Sequence, residues 1–147
     1  MAKRIDKFDN EYAFLSNFYP ASVHYNGLVF ANNEAAFQAQ KCPCRSAEFT
    51  FFDNPGKAKR LGRKVELRRD WEEIKERVMY EVCLCKFTQH EDLKKKLLET
   101  GDAELVEGNY WHDCYWGVCE EQGENKLGKI LMRIREELRY KQNETLG

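Results

Sequence analysis

Glu34, Gln38 and Lys41 stand four and three residues apart in the stretch 34–41. If that stretch is helical, all three share one face. Glu34 then stands in the first turn, where the helix dipole favours a carboxylate, and the polar face reads either as a solvated surface or as a functional one. Downstream, Lys57, Lys59, Arg60, Arg63, Lys64, Arg68 and Arg69 form a basic run. It is read either as a solvated surface or as an anion site. Asn54-Pro55-Gly56 opens that run and reads as a helix start, whose first amides are free to hold phosphate. Trp111, Tyr115 and Trp116 crowd a segment that also carries Asp113, and suit either a core or a surface that stacks on a planar base.

The six cysteines are the other reactive groups: Cys42, Cys44, Cys83, Cys85, Cys114 and Cys119. The start Met1-Ala2-Lys3-Arg4-Ile5-Asp6 lacks the apolar run of an export signal. The chain is therefore read as cytoplasmic and its cysteines as free thiols. Both local pairs are Cys-x-Cys, one residue short of the usual zinc-site gaps, so no metal is expected. His112 and Cys114 are close in sequence, but nothing around them completes a catalytic triad.

The elements that must position these groups follow from local signals. Asn26-Gly27 between Val23–Tyr25 and Leu28–Phe30 predicts a two-residue hairpin. Asn32 or Asn33 predicts the cap of a helix running to about Cys42, where Pro43 stops it. A short helix is expected over Ala47–Phe52, and another from Pro55 through Leu61 behind an Asn54 cap. Asp70 followed by Glu73 predicts a capped helix with Trp71, Ile74, Val78, Val82 and Cys85 on its apolar face. Leu93, Leu97 and Leu98 predict a helix ending near Gly101, and Leu127, Ile130, Leu131, Ile134 and Leu138 predict a C-terminal one. Leu105 and Val106 suggest a short strand. The pattern is that of an α+β fold, mostly helical, with a few short, mainly antiparallel strands.

At 147 residues, 42% hydrophobic and 13% aromatic, the chain has the material for one folded domain, expected over 1–147 with its core at about 8–138. The net charge of −1 gives no global attraction to nucleic acid or membrane. Charge is uneven: residues 1–70 hold 12 basic and 8 acidic side chains, leaving 12 and 17 for residues 71–147. Any anion belongs in the first half. No stretch is long and apolar enough to span a membrane.

Ten short pieces, in order, give the chain a family resemblance. They include Leu15-Ser16-Asn17-Phe18, Glu34-Ala35-Ala36-Phe37-Gln38-Ala39-Gln40-Lys41, Leu61-Gly62-Arg63 and Leu67-Arg68-Arg69-Asp70-Trp71. Further on come Lys86-Phe87, Asp113-Cys114-Tyr115-Trp116-Gly117 and Asn125-Lys126-Leu127-Gly128-Lys129. From Phe8 to Leu138 the chain resembles the NADAR (YbiA-like) N-glycosidase family, linked to NAD and ADP-ribose metabolism. The resemblance implies a small helix-rich α+β fold and hydrolysis of an N-glycosidic bond to ribose, with no cofactor. It implies as substrate either phosphorylated ribosylamino-pyrimidines of early riboflavin biosynthesis or ADP-ribose attached to guanine, free or on nucleic acid. Glu34 matches the catalytic glutamate. Asn17, Phe18, Arg63, Trp116 and Asn125 match substrate-binding positions, and Asp113 or Lys41 is expected to serve the departing base. Asn33 and Ala35 replace the Ser or Thr and the His that flank the glutamate in many relatives. Gly117-Val118-Cys119 replaces a more glycine-rich loop, a change that bears on substrate identity. A non-catalytic module binding ADP-ribose or NAD is the alternative reading.

Overall fold

The computed structural model describes residues 3–146; Met1 and Ala2, at the start read as leaderless, lie outside them. The elements in chain order are β1 (Arg4–Ile5), β2 (Val23–Tyr25), β3 (Leu28–Phe30), α1 (Asn33–Ala39), α2 (Pro55–Gly62), α3 (Trp71–Gln89), α4 (Glu91–Glu99), β4 (Glu104–Leu105) and α5 (Lys126–Leu146). Two 3₁₀ helices, Asn10–Leu15 and Pro43–Phe51, complete the set. Mixed helix and short strand is the class the sequence pattern indicates. The chain forms two compact units, one of residues 17–90 and one of residues up to 16 together with those from 91 onward.

In the 17–90 unit, β2 and β3 pair antiparallel through the expected turn, with Val23 opposite Phe30. Asn26 and Gly27 have φ of 49° and 80°, the left-handed pair that a type I′ turn requires. The hairpin is tied to α3 by Gln89, whose Nε2 donates to the His24 carbonyl while its Oε1 accepts from the His24 N–H, both at 2.9 Å. Helix α1 packs against α2, α3 and the second 3₁₀ helix. Phe37 meets Trp71 with ring centroids 5.1 Å apart. Each large apolar side chain buried here contributes about 1.5–3 kcal/mol.

Helix α3 begins where the sequence places it, but not for the predicted reason. Asp70 makes no side-chain cap; its carboxylate binds the Arg68 guanidinium at 2.6 Å, so the capping box is not formed. The buried face also differs at its end: Cys83 is buried and Cys85 is half-buried, the reverse of the predicted stripe. The short helix expected over Ala47–Phe52 is 3₁₀ and starts earlier, at Pro43.

In the other unit β1 and β4 pair in parallel, Ile5 opposite Leu105. Leu105, Leu131 and Ile134 are fully buried. Helix α5 gets its N-terminal hydrogen bonds from the preceding loop, because the Lys126 and Leu127 N–H groups donate to the Tyr115 and Trp116 carbonyls. These are orphan donors that a helix start must satisfy.

Candidate active site

Helix α1 is buried along its whole length, including its polar residues. Asn32 caps it: its Oδ1 accepts from the Ala35 N–H at 2.8 Å, and its Nδ2 donates to the Asp53 carbonyl. Glu34 sits in the first turn, where the helix dipole favours a carboxylate, and is only 7% exposed. A solvated helix-start charge would not be buried. The Glu34 N–H donates to the Asn17 carbonyl at 3.0 Å, which fixes the loop before β2 to the start of α1.

Lys41, seven residues on, is partly buried, and its amine is pulled below the usual lysine range chiefly by that burial. The Glu34 charge opposes the shift, while Arg63, Lys59 and Lys75 add to it. One carboxylate and four cations are thus electrostatically coupled within a single unit. Lys75 is paired with Glu72 at 2.7 Å. Arg63 is the C-terminal cap residue of α2 and is exposed. Lys59 lies 6.0 Å from the ring centroid of Phe18, an aromatic ring that is 45% exposed.

The amides at the start of α2 are not available as the sequence suggested. Asn54 Oδ1 takes the Gly56 and Lys57 N–H groups at 2.8 and 3.4 Å. Asn17 is tied into its surroundings: its Oδ1 accepts from Asn33 Nδ2 at 3.1 Å and its Nδ2 reaches Met79 Sδ at 3.4 Å. Asn33 Nδ2 also contacts the Cys83 thiol at 3.6 Å. Asn17 and Asn33 therefore act as a brace behind Glu34. Sequence reasoning weighed Asn33 only as a helix cap and as a departure beside Glu34, because one residue from a helix start nothing local marks a polar side chain for burial. It also missed Lys86, buried on α3. A signal existed there, since Lys86 continues the four-residue step of Val78 and Val82. Gln38 is buried with no hydrogen-bond partner for its Oε1 among the described residues, and that atom packs so closely on Gly62 that a Cβ there would collide with it.

The remaining predicted residues lie in the other unit. Asp113 Oδ1 accepts the Tyr115 and Trp116 N–H groups at 3.1 and 2.9 Å, shaping the turn that presents Trp116. Trp116 is half-buried, edge-on to Tyr115 with centroids 4.8 Å apart. Asn125, at φ 51°, ties the residue before α5 to the single segment 105–107: its Oδ1 accepts from the Glu107 N–H and its Nδ2 donates to the Leu105 carbonyl. Among the described residues no group of three or more histidine, cysteine or acidic side chains is arranged to hold a metal. No helix there is long and apolar enough to cross a membrane.

The model of the NADAR domain matches residues 5–139. The chain belongs to the NADAR family. It is 40% identical over 140 residues to N-glycosidase Npun_R5314 of Nostoc punctiforme, covering 87% of this chain and 86% of that protein. It is 38% identical over 135 residues to riboflavin biosynthesis protein VVA0006 of Vibrio vulnificus, matching 88% of this chain but only 36% of that longer protein. N-glycosidase YbiA of Escherichia coli is 37% identical over 134 residues, covering 88% of this chain and 83% of that protein. The NMR structure of E. coli YbiA superposes with a TM-score of 0.86 at 34% identity, over 98% of this chain and 90% of that one. The NADAR match spans both compact units.

Proposed function

We propose that this NADAR protein is an N-glycosidase that hydrolyses the bond between a nitrogenous base and the ribose of a phosphorylated or ADP-ribosylated compound, with both units serving as one functional domain in the cytoplasm. The observation that carries the reading is Glu34, a carboxylate sunk into the first turn of α1 and electrostatically coupled to Lys41. The N-glycosidase names of the Nostoc and E. coli relatives support the reaction class. The name of the Vibrio relative supports a ribosylamino-pyrimidine phosphate of riboflavin biosynthesis as substrate.

Cleavage of a ribosyl C–N bond builds positive charge on the anomeric carbon and ring oxygen. Glu34 opposes that charge and activates the attacking water. The departing nitrogen requires a proton, and Lys41, whose affinity for its proton is reduced by burial, supplies it. Arg63 and Lys59 hold the phosphate through charge-assisted hydrogen bonds. Phe18 stacks on the planar base. Asp113 and Asn125 hold the loop that carries Trp116 rather than touching substrate.

Glu34→Gln preserves shape and removes the charge, so turnover should fall on the order of 100- to 1,000-fold in a protein whose circular dichroism is unchanged. The assay compares a ribosylamino-pyrimidine phosphate with an ADP-ribosylated guanine oligonucleotide. Wild-type turnover by folded Glu34→Gln refutes the assignment. Tight binding of ADP-ribose, unchanged in Glu34→Gln and without turnover of either substrate by the wild type, makes the protein a binding module instead.

A further inference from the structure

Six cysteines are free thiols, and two of them touch. Cys42 and Cys44 flank Pro43, and their Sγ atoms are 3.5 Å apart. Cys42 is buried and Cys44 is exposed. Cys83 and Cys85 have the same Cys-x-Cys spacing but lie inside α3. Two residues along a helix turn the side chain by about 200°, so those two thiols point to opposite sides. The difference comes from the backbone: Cys42, at φ −144° and ψ 89°, is the non-helical joint between α1 and the 3₁₀ helix that Pro43 begins. That joint folds the second thiol back over the first.

We propose that Cys42 and Cys44 form a reversible dithiol–disulfide site, oxidised by small-molecule disulfides such as glutathione disulfide, whose closure displaces Lys41. Cys44, the exposed thiol, attacks as its thiolate. Its sulfur bonds to one sulfur of the oxidant, and the other leaves as a thiolate. The Cys42 sulfur, having lost its proton to solvent, then attacks Cys44 and expels the second glutathione thiolate. Two protein thiols are oxidised, one disulfide of the oxidant is reduced to two thiols, and no other reactant is required. The hydrogen bond between the pair holds the Cys42 thiol above its usual range, consistent with Cys44 acting first.

Closing the bond brings the sulfurs from 3.5 Å to about 2.05 Å, a movement of about 1.5 Å at a joint whose other side is Lys41. The Lys41 carbonyl, in the peptide unit that joins Lys41 to Cys42, accepts the Arg68 N–H at 2.9 Å, so the closing movement at Cys42 loads that peptide unit and turns Lys41. Misplacing a reacting group by about 1 Å can cost on the order of 100-fold in rate. The effect on Lys41 rests on the hydrolase reading above; formation of the disulfide does not.

The test uses the whole reduced protein, equilibrated with mixtures of glutathione and glutathione disulfide, alkylated, and digested with trypsin. Trypsin releases Cys42–Arg45 as one peptide and Val78–Lys86 as another. The expected result is a Cys42–Arg45 peptide lighter by two hydrogens and unalkylated, with Cys83 and Cys85 still unpaired, and loss of this species in Cys44→Ser. Alkylation of both Cys42 and Cys44, or a glutathione adduct on Cys44 that never closes, at every ratio overturns the site. In the second arm, turnover of the oxidised wild type should drop on the order of 10- to 100-fold and recover with dithiothreitol, while Cys44→Ser is insensitive. Equal turnover of oxidised and reduced protein, with the disulfide formed, overturns the coupling to Lys41. Absence of turnover in the reduced protein would count against the hydrolase reading and leave the disulfide result standing.

Discussion

Lys86 lies within the 17–90 unit with 1% of its surface exposed, its Nζ 5.1 and 5.5 Å from the ring centroids of Phe87 and Tyr19. Burial brings its pKa from 10.5 down to about 8. A lowering of that size corresponds to about 3 kcal/mol by which the charged amine opposes folding at pH 7. Below pH 8 both folded and unfolded chains hold the proton, and that cost is constant. Between pH 8 and 10.5 the folded chain has shed it while the unfolded chain keeps it, so stability climbs with pH by up to about 1.4 kcal/mol per unit. Cys83 works in the opposite direction: burial pushes its thiol from 9.0 to about 12. Above pH 9 the unfolded thiol ionises first, and stability is lost as pH rises. The wild type should therefore gain stability from pH 8 to 9 and level off beyond. Lys86→Met keeps the length of the stem and removes the ammonium. At pH 7 it should stabilise the protein by up to about 3 kcal/mol, less about 1 kcal/mol for each cation–ring contact given up. The rise between pH 8 and 9 should disappear. Urea unfolding followed by circular dichroism at pH 7, 8 and 9 measures both. A flat wild-type profile together with a less stable variant at pH 7 would refute the reasoning, since it would mean that the contacts the Lys86 ammonium makes outweigh the cost of burying it.

Arg63→Ala should lower kcat/KM on the order of 10- to 100-fold with little change in Tm, as expected for a lost charge-assisted contact to phosphate. In the proposed reaction Lys41 acts in its protonated form, so activity should fall as pH rises through its lowered pKa; removing Arg63, one of the cations that lower it, should move the alkaline limb of the kcat/KM profile to higher pH. Asn125→Ala deletes hydrogen bonds to the Glu107 N–H and the Leu105 carbonyl, and should cost on the order of 3 kcal/mol in urea unfolding. Gly62→Ala drives a methyl into Gln38 Oε1 and should cost about 1–3 kcal/mol by forcing the amide aside, read as a lower Tm.

What was legible in the sequence is what neighbouring residues settle among themselves. Asn26-Gly27 specified the hairpin because few other pairs tolerate two left-handed residues in succession. Asn54-Pro55 specified the start of α2 because the cap oxygen and the fixed proline φ act within one turn. The apolar steps through Trp71 to Val82 and Leu127 to Leu138 specified α3 and α5 because a helix that buries one face needs that period. Glu34 was placed in the first turn of its helix by the same local logic, and the family motifs marked it. Tertiary structure decided the rest. The parallel pairing of Arg4–Ile5 with Glu104–Leu105 joins segments with no local signal for each other. Asp70 carries a capping signature and does not cap, because Arg68 takes its carboxylate. The burial of Asn33 and Lys86, and hence the brace behind Glu34 and the depressed amine, depends on which faces other elements cover. Two Cys-x-Cys pairs with identical spacing part ways for the same reason: a helix separates Cys83 from Cys85, and the joint at Pro43 brings Cys42 and Cys44 into contact.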